Sequence, residues 1–249
     1  MTRDELDRIL EQHRLWLDGN GGERADLWNA DLTRADLSDA NLTSADLWNA
    51  NLRAANMCAA NLRAANLSDA NLTRADLWNA NLRDANMCAA NMCAANLSDA
   101  DLRAANLSDA NLSDANLRAA NLRAANMCAA NMRAANLSDA DLRAADMRDA
   151  DLTNAKLRNA AMNGCIGNMR EVKSLQIDTW PVTYTADTLQ IGCQRHPIAK
   201  WRKWNTDAGR KWIAQMDRNA LEWADRHLDL ILQIIDASPA TPTGHEVIE

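Results

Sequence analysis

Ala25-Asp26-Leu27-Trp28-Asn29-Ala30-Asp31-Leu32-Thr33-Arg34 opens a run of 28 five-residue units that continues without a gap to Gly164. Each unit starts with Ala, nearly always follows it with Asp or Asn, centres on Leu or Met, and leaves two positions free. A period of five is neither the 3.6 of an α-helix nor the 2 of a strand, and it is too short for a helix-pair repeat. The large apolar centre, from Leu27 to Met162, and the Ala two places before it, from Ala25 to Ala160, are the inward positions. The other three positions carry Asp, Asn, Arg, Ser, Thr, Cys and Trp, the mixture of an outer surface.

A chain that turns a corner every five residues with one side inward closes after four corners, giving a square coil of about 20 residues; stacked coils make a solenoid. Units such as Ala45-Asp46-Leu47-Trp48-Asn49, Ala50-Asn51-Leu52-Arg53-Ala54 and Ala55-Asn56-Met57-Cys58-Ala59 resemble those of pentapeptide repeat proteins, and the resemblance covers residues 25–164. It implies an all-β solenoid, a right-handed quadrilateral parallel β-helix with coils joined by backbone hydrogen bonds. Twenty-eight units make seven coils, a rod roughly 34 Å long at the strand spacing. Its interior is expected to be solid, with Leu102 at mid-rod more costly to truncate than Leu27 at the end.

An open solenoid end invites end-to-end association, so caps are expected. Residues 1–24 supply one. Thr2 and Glu5 form a capping box, Leu6, Ile9, Leu10, Trp16 and Leu17 form an apolar stripe, and Gly19-Asn20-Gly21-Gly22 ends the helix. The mixed charges Arg3, Asp4, Glu5, Asp7 and Arg8 favour a cap over a membrane-surface helix. After Gly164 the grammar changes. Residues 165–237 read as a small α/β domain, with short strands at Val172–Ile177, Val182–Thr185 and Thr188–Ile191 followed by two or three Trp-rich helices. Residues 238–249 read as a disordered tail. The domain resembles the C-terminal tails of uncharacterised phage and bacterial pentapeptide repeat proteins, which implies no activity.

The net charge of -7, the absence of an 18-residue apolar run and the polar N-terminus lead to an expectation of a cytoplasmic protein, bacterial or in a phage-infected cell, with no membrane partner. Of the repeat cysteines, Cys88 and Cys128 share a face two coils apart, Cys93 lies on the next face and Cys58 on the opposite one, so no two are stacked neighbours and none is expected to pair.

Arg63, Arg83, Arg103, Arg123 and Arg143 recur every 20 residues, so they project from one face as a ladder. Ten units carry Arg after the centre, so a solvated face offset by Asp84, Asp101 and Asp141 is favoured over an anion-binding strip, and direct nucleic-acid binding is not expected. Some pentapeptide repeat proteins protect or inhibit DNA gyrase by mimicking duplex DNA, which makes a DNA-mimic, topoisomerase-protecting role the alternative function. Between Ala25 and Gly164, however, 17 Asp stand against 12 Arg and one Lys, the arginines are spread over all faces, and the chain has no Phe, a residue gyrase-interacting members tend to place at some centres.

Trp28 and Trp48 share a face on adjacent coils, and cover by the N-terminal helix is favoured over an exposed patch; Trp78, on the opposite face, has no physical account in the sequence. No nucleophile motif or phosphate loop appears, so no enzyme activity, catalytic residue or cofactor is expected. Cys193 and His196 form a Cys-x-x-His pair, half of a zinc site without a second pair, and no metal is expected. The reading is a non-enzymatic scaffold for an unidentified protein partner. Trp201, Trp204, Trp212 and Trp223 are the foremost contact candidates, either as a private core against the last coil or as a homodimer interface of the C-terminal domain.

Overall fold

The computed structural model describes residues 1–168, 172–177, 180–192, 194–216 and 219–240. Parallel bridges join the residue before each centre to the residue 20 places on, from Asp26↔Asp46 to Asp146↔Ile166. That constant offset defines a four-sided coil in which every fourth unit stacks on itself. Leu27 N–H donates to the Asp46 carbonyl at 2.7 Å, Asn29 N–H to the Trp48 carbonyl at 3.0 Å, and Asp46 N–H back to the Ala25 carbonyl at 3.0 Å. The ladder runs through Ile166, with Cys165 in the Ala place and 3% exposed, so the solenoid outlasts its sequence grammar, which ends at Gly164.

Each corner is a four-residue turn. Ala30 N–H donates to the Leu27 carbonyl at 3.0 Å, and the third residue, Asn29, has φ 55°. Positive φ there marks a type II turn, whose usual occupant is Gly or Asn. Among the described residues 27 non-glycine residues have φ between 53° and 63°, and most of them are Ala, Asp, Arg or Ser rather than Asn. Local side-chain bonds hold these corners. Asp26 Oδ1 accepts the Trp28 N–H at 3.2 Å, Asn66 Oδ1 accepts the Ser68 N–H at 3.3 Å, and an Asn at this place also donates Nδ2 to the coil before it, as Asn66 does to Asp46 at 3.0 Å. Inside, the centres and the Ala residues close the cross-section: Leu102 is 0% and Ala105 1% exposed.

Helix α1, Arg3–Leu17, carries the capping box in full: Thr2 N–H donates to Glu5 at 2.8 Å, and Glu5 N–H to Thr2 Oγ1 at 3.3 Å. Gly19 N–H to the Trp16 carbonyl at 3.2 Å and Asn20 N–H to the Leu15 carbonyl at 2.9 Å close it as a Schellman motif. Gly22, φ 75°, brings the chain back so tightly that a Cβ there would lie 2.2 Å from the Gln12 carbonyl oxygen. Leu6 is buried and Ile9 and Leu10 pack on the first coil, as the stripe predicts. Trp16 does not follow the stripe; it is 40% exposed, and the buried position is taken by His13, whose Nδ1 accepts the Ala25 N–H at 2.9 Å.

Beyond the rod, strands β1 (Lys173–Ile177), β2 (Trp180–Tyr184), β3 (Thr188–Ile191) and β4 (Gln194–Pro197) form an antiparallel meander, followed by α2 (Ile198–Trp201), α3 (Asp207–Ala214) and α4 (Ala220–Ala237). The sequence missed β4, a short polar strand with no apolar alternation. The period of two sorts the sheet into two faces. Val182, Tyr184, Leu189 and Ile191 join the helices in a second core, while Thr183 and Gln190, both buried, face the rod. Gln190 Oε1 accepts the Met162 N–H at 3.1 Å, Thr183 Oγ1 donates to the Met162 carbonyl at 3.3 Å, and Arg195 donates to the Ala160 carbonyl. These side chains substitute for a further coil at the end of the stack. The start of the tail is also anchored: Tyr184 donates its hydroxyl to the Ser238 carbonyl at 2.9 Å, and Ala240 is 5% exposed. The rest of the tail, 241–249, lies outside the described residues. Among the described residues no helix is long and apolar enough to cross a membrane.

Candidate interaction surfaces

The structure brings all five ladder arginines into one column, with Ala64 N–H donating to the Arg83 carbonyl at 2.9 Å and Ala124 N–H to the Arg143 carbonyl at 2.9 Å. Their charges are largely occupied. Arg63 and Arg83 share Asp84 at 3.8 and 3.4 Å, and Arg103 and Arg143 each turn back on the Asp two residues earlier, Asp101 and Asp141, at 2.5 Å. Bonding to the guanidinium holds the Asp101 and Asp141 carboxyls below their usual pKa. Among the described residues no carboxylate comes within ion-pair distance of Arg123. The same local rule covers Arg148 and Asp146: an Arg two places after an Asp folds back onto that Asp.

The repeat arginines lie on all four faces, as expected, but unequally, so charge is sorted by face. Nine of the twelve repeat arginines lie on two opposite faces, the one through Thr33 and the one through Thr43. The face through Trp28 carries Asp26, Asp46, Asp69, Asp109, Asp146 and Asp149 against Arg148 alone, a net of -5; the ladder face carries five Arg against three Asp, a net of +2.

Helix α1 does not cover the tryptophans of the acidic face. Trp28 is 56% exposed and stacks on Trp48, with ring centroids 5.6 Å apart and planes 13° from parallel. Trp48 Nε1 donates to Asp69 Oδ2 at 3.0 Å, and Trp78 Nε1 to Asp99 Oδ2 at 3.1 Å. Both bonds span 21 residues, from a Trp to the Asp of a Ser-Asp pair one coil later, which gives Trp78 its physical account. The signal was present in the sequence as that spacing.

In the C-terminal domain Trp201, Trp204 and Trp223 are 3%, 5% and 7% exposed, so these indoles are core rather than contact surface; Trp212 is partly buried beside them. Trp201 Nε1 donates to the Leu189 carbonyl at 2.9 Å and Trp204 Nε1 to Asp229 at 3.0 Å. Gly209 has to be glycine because a Cβ would lie 2.1 Å from the Lys203 carbonyl oxygen. An apolar cavity of about 120 Å³ lies among Ile191, Trp201, Ile213 and Trp223.

Cys193 lies outside the described residues, and His196 presents its Nδ1 to the Lys200 ammonium at 3.4 Å, a cation where a zinc ligand needs a free lone pair. Burial, and then Lys200 and Arg195, hold the His196 pKa down. Cys58, Cys88, Cys93, Cys128 and Cys165 are free thiols. Burial at the rod end pushes Cys165 up to about 12, leaving it unreactive. Among the described residues no group of three or more His, Cys, Asp or Glu is arranged to hold a metal ion.

The family model for pentapeptide repeats matches in eight copies, over residues 23–57, 60–99, 70–109, 95–133, 110–149 and 130–166. No curated protein sequence matches the chain. Among solved structures, HetL of the cyanobacterium Nostoc sp., a pentapeptide repeat protein involved in heterocyst differentiation regulation, is 31% identical over 58% of this chain and 86% of its own, with a TM-score of 0.31. Rfr23 of the cyanobacterium Cyanothece is 23% identical over 66% of this chain and 99% of its own, TM-score 0.30. A trypsin-treated variant of QnrB1, a plasmid-mediated fluoroquinolone resistance protein, is 19% identical over 57% of this chain and 75% of its own, TM-score 0.44. With its repeats matched over more than half its length, this chain belongs to the pentapeptide repeat family, whose members form right-handed quadrilateral β-helices.

Proposed function

We propose that this protein is a non-enzymatic interaction scaffold that engages a protein partner through the outer faces of its rod. The observation that carries this reading is the sorting of charge by face, -5 on the Trp28 face against +2 on the ladder face, around an interior filled by Leu, Met and Ala. A solid rod has no internal site for a substrate, and fixed columns of side chains suit an elongated contact. Dimerisation through the C-terminal domain, with its tryptophans in the core, would have to use outer side chains such as Leu230, 51% exposed.

The test is capture of a partner from the source organism by the full chain, repeated with two surface variants, one with the five ladder arginines changed to Gln and one with Asp26, Asp46 and Asp69 changed to Asn. Loss of a stoichiometric partner in one variant supports the reading; a partner retained by both moves the contact to the C-terminal domain.

The DNA-mimic reading draws on the acidic face. Magnitude weighs against it: a duplex as long as the rod carries roughly 20 phosphate charges, whereas the repeats carry 17 Asp against 12 Arg and one Lys, a net of -4. A gyrase supercoiling assay with no inhibition and no drug protection would remove it.

A further inference from the structure

Within the acidic face, the Trp28–Trp48 stack sits at the end of the rod. Trp28 is 56% exposed, and among the described residues no aromatic ring other than Trp48 stacks on it, so the outer indole presents its surface to solvent. Carboxylates share its face. Asp26 and Asp46 are bridged neighbours in the stack, about one strand spacing of 4.8 Å apart. Elsewhere such a rung is often joined by an amide, as where Asn66 donates to Asp46 at 3.0 Å, but neither Asp26 nor Asp46 has a hydrogen to give, and two negative charges face each other. Asp69 holds the Trp48 indole from the next coil at 3.0 Å. On this face the sole Arg of the repeats is Arg148, far along the rod; Arg24, at the adjoining corner, points its guanidinium to the Ser44 carbonyl at 3.4 Å.

We infer that this patch docks an arginine-bearing basic segment of the partner protein, an inference that rests on the scaffold reading above. A guanidinium is the group that meets both features at once. Its plane extends an aromatic stack, its charge is drawn to the negative ring face, and its fork of N–H donors reaches carboxylates beside the ring. Lys offers the charge without the plane. Nucleic acid and acidic peptides are repelled by the carboxylates. Trp78 is 47% exposed on the opposite face, among the described residues no second ring stacks on it, and it serves as the internal control.

The experiment titrates the full chain with a short arginine-rich peptide, its lysine analogue and a glutamate analogue, following the Trp indole N–H resonances and the binding isotherm at two salt concentrations. The arginine peptide is expected to bind with the Trp28 resonance shifted, to weaken with salt, and to outbind the lysine peptide. Trp28→Ala is expected to lower its affinity roughly three- to tenfold, Trp28→Phe to restore most of it, and Asp26→Asn with Asp46→Asn to remove the salt dependence, while Trp78→Ala changes nothing. No binding, equal binding of the glutamate peptide, or equal loss in Trp78→Ala overturns the inference. So does a concentration-dependent dimer abolished by Trp28→Ala, which would give the patch to a second copy. A captured partner that is retained by Trp28→Ala sinks this inference alone; failure of the full chain to capture any partner sinks the scaffold reading with it.

Discussion

Asn126 Nδ2 donates to Oδ1 of Asn106, 20 residues earlier, at 3.2 Å, and that same residue sends its own Nδ2 to Asn86 Oδ1 at 3.1 Å. Asn106 Oδ1 also accepts the Ser108 N–H at 3.2 Å. One amide thus fixes its own corner and two inter-coil rungs. Asn106→Asp keeps the shape and both acceptor bonds but removes the donor, so a loss of about 1 kcal/mol is expected. Chemical denaturation of the two proteins at pH 7 checks it; an unchanged midpoint would show that the ladder adds nothing to the stack.

The ends are closed, which revises the expectation for core truncation. Leu27 is 1% exposed beneath α1, against 0% for Leu102 at mid-rod. Leu27→Ala and Leu102→Ala should therefore each lose about 2–5 kcal/mol and differ little. Thermal unfolding of both variants tests this; a nearly neutral Leu27→Ala would mean that the helix does not seal the first coil in solution.

Ala104 occupies the strained corner position at φ 55°. Left-handed backbone costs an L-residue about 1–2 kcal/mol, which Gly avoids, at an entropic penalty in the unfolded chain of about 0.5–1 kcal/mol. Ala104→Gly is expected to be neutral to stabilising by up to about 1 kcal/mol, and Ala104→Val clearly destabilising, both read as shifts in Tm. A destabilising glycine would show that the corner methyl makes a packing contribution larger than its strain.

His13 makes docking of the cap pH-dependent. Burial holds its folded pKa below the ordinary value, and Arg24 adds to the shift. For a base so depressed, the contribution is complete above the unfolded pKa of about 6.5 and is lost as pH falls below it, because the unfolded state binds the proton more readily. Limited proteolysis within residues 1–24 should accelerate from pH 7.5 to pH 5.5, and His13→Gln should flatten that dependence. Equal acceleration in both proteins would assign the effect to other groups.

The repeats made the rod and its face columns legible, because a strict period projects directly onto geometry. The helix cap was legible in Thr2, Glu5 and Gly19 for the same local reason. Features set by meetings between distant residues were not. His13 reads as polar and is buried only because Ala25 presents it with an N–H; Trp16 reads as core and is left outside. The C-terminal tryptophans read first as contact candidates, and only the closure of β2, β3 and the helices over them makes Trp201, Trp204 and Trp223 core. Thr183 and Gln190 gave no sign that they would cap Met162, since capping a coil end asks only for polar atoms at the right place.

The face columns require residues 20 apart to lie directly above one another. Cys88 and Ser108 provide the direct check: Ser108 Oγ lies 3.4 Å from Cys88 Sγ, with Cys128 a coil beyond. Ser108→Cys places a second thiol against Cys88, within disulfide reach. Mild oxidation followed by peptide mass spectrometry is expected to find position 108 linked to Cys88 or Cys128 within one chain. Linkage to Cys93 or Cys58, or a chain that stays reduced while fully folded, would contradict the 20-residue coil and the face assignments built on it.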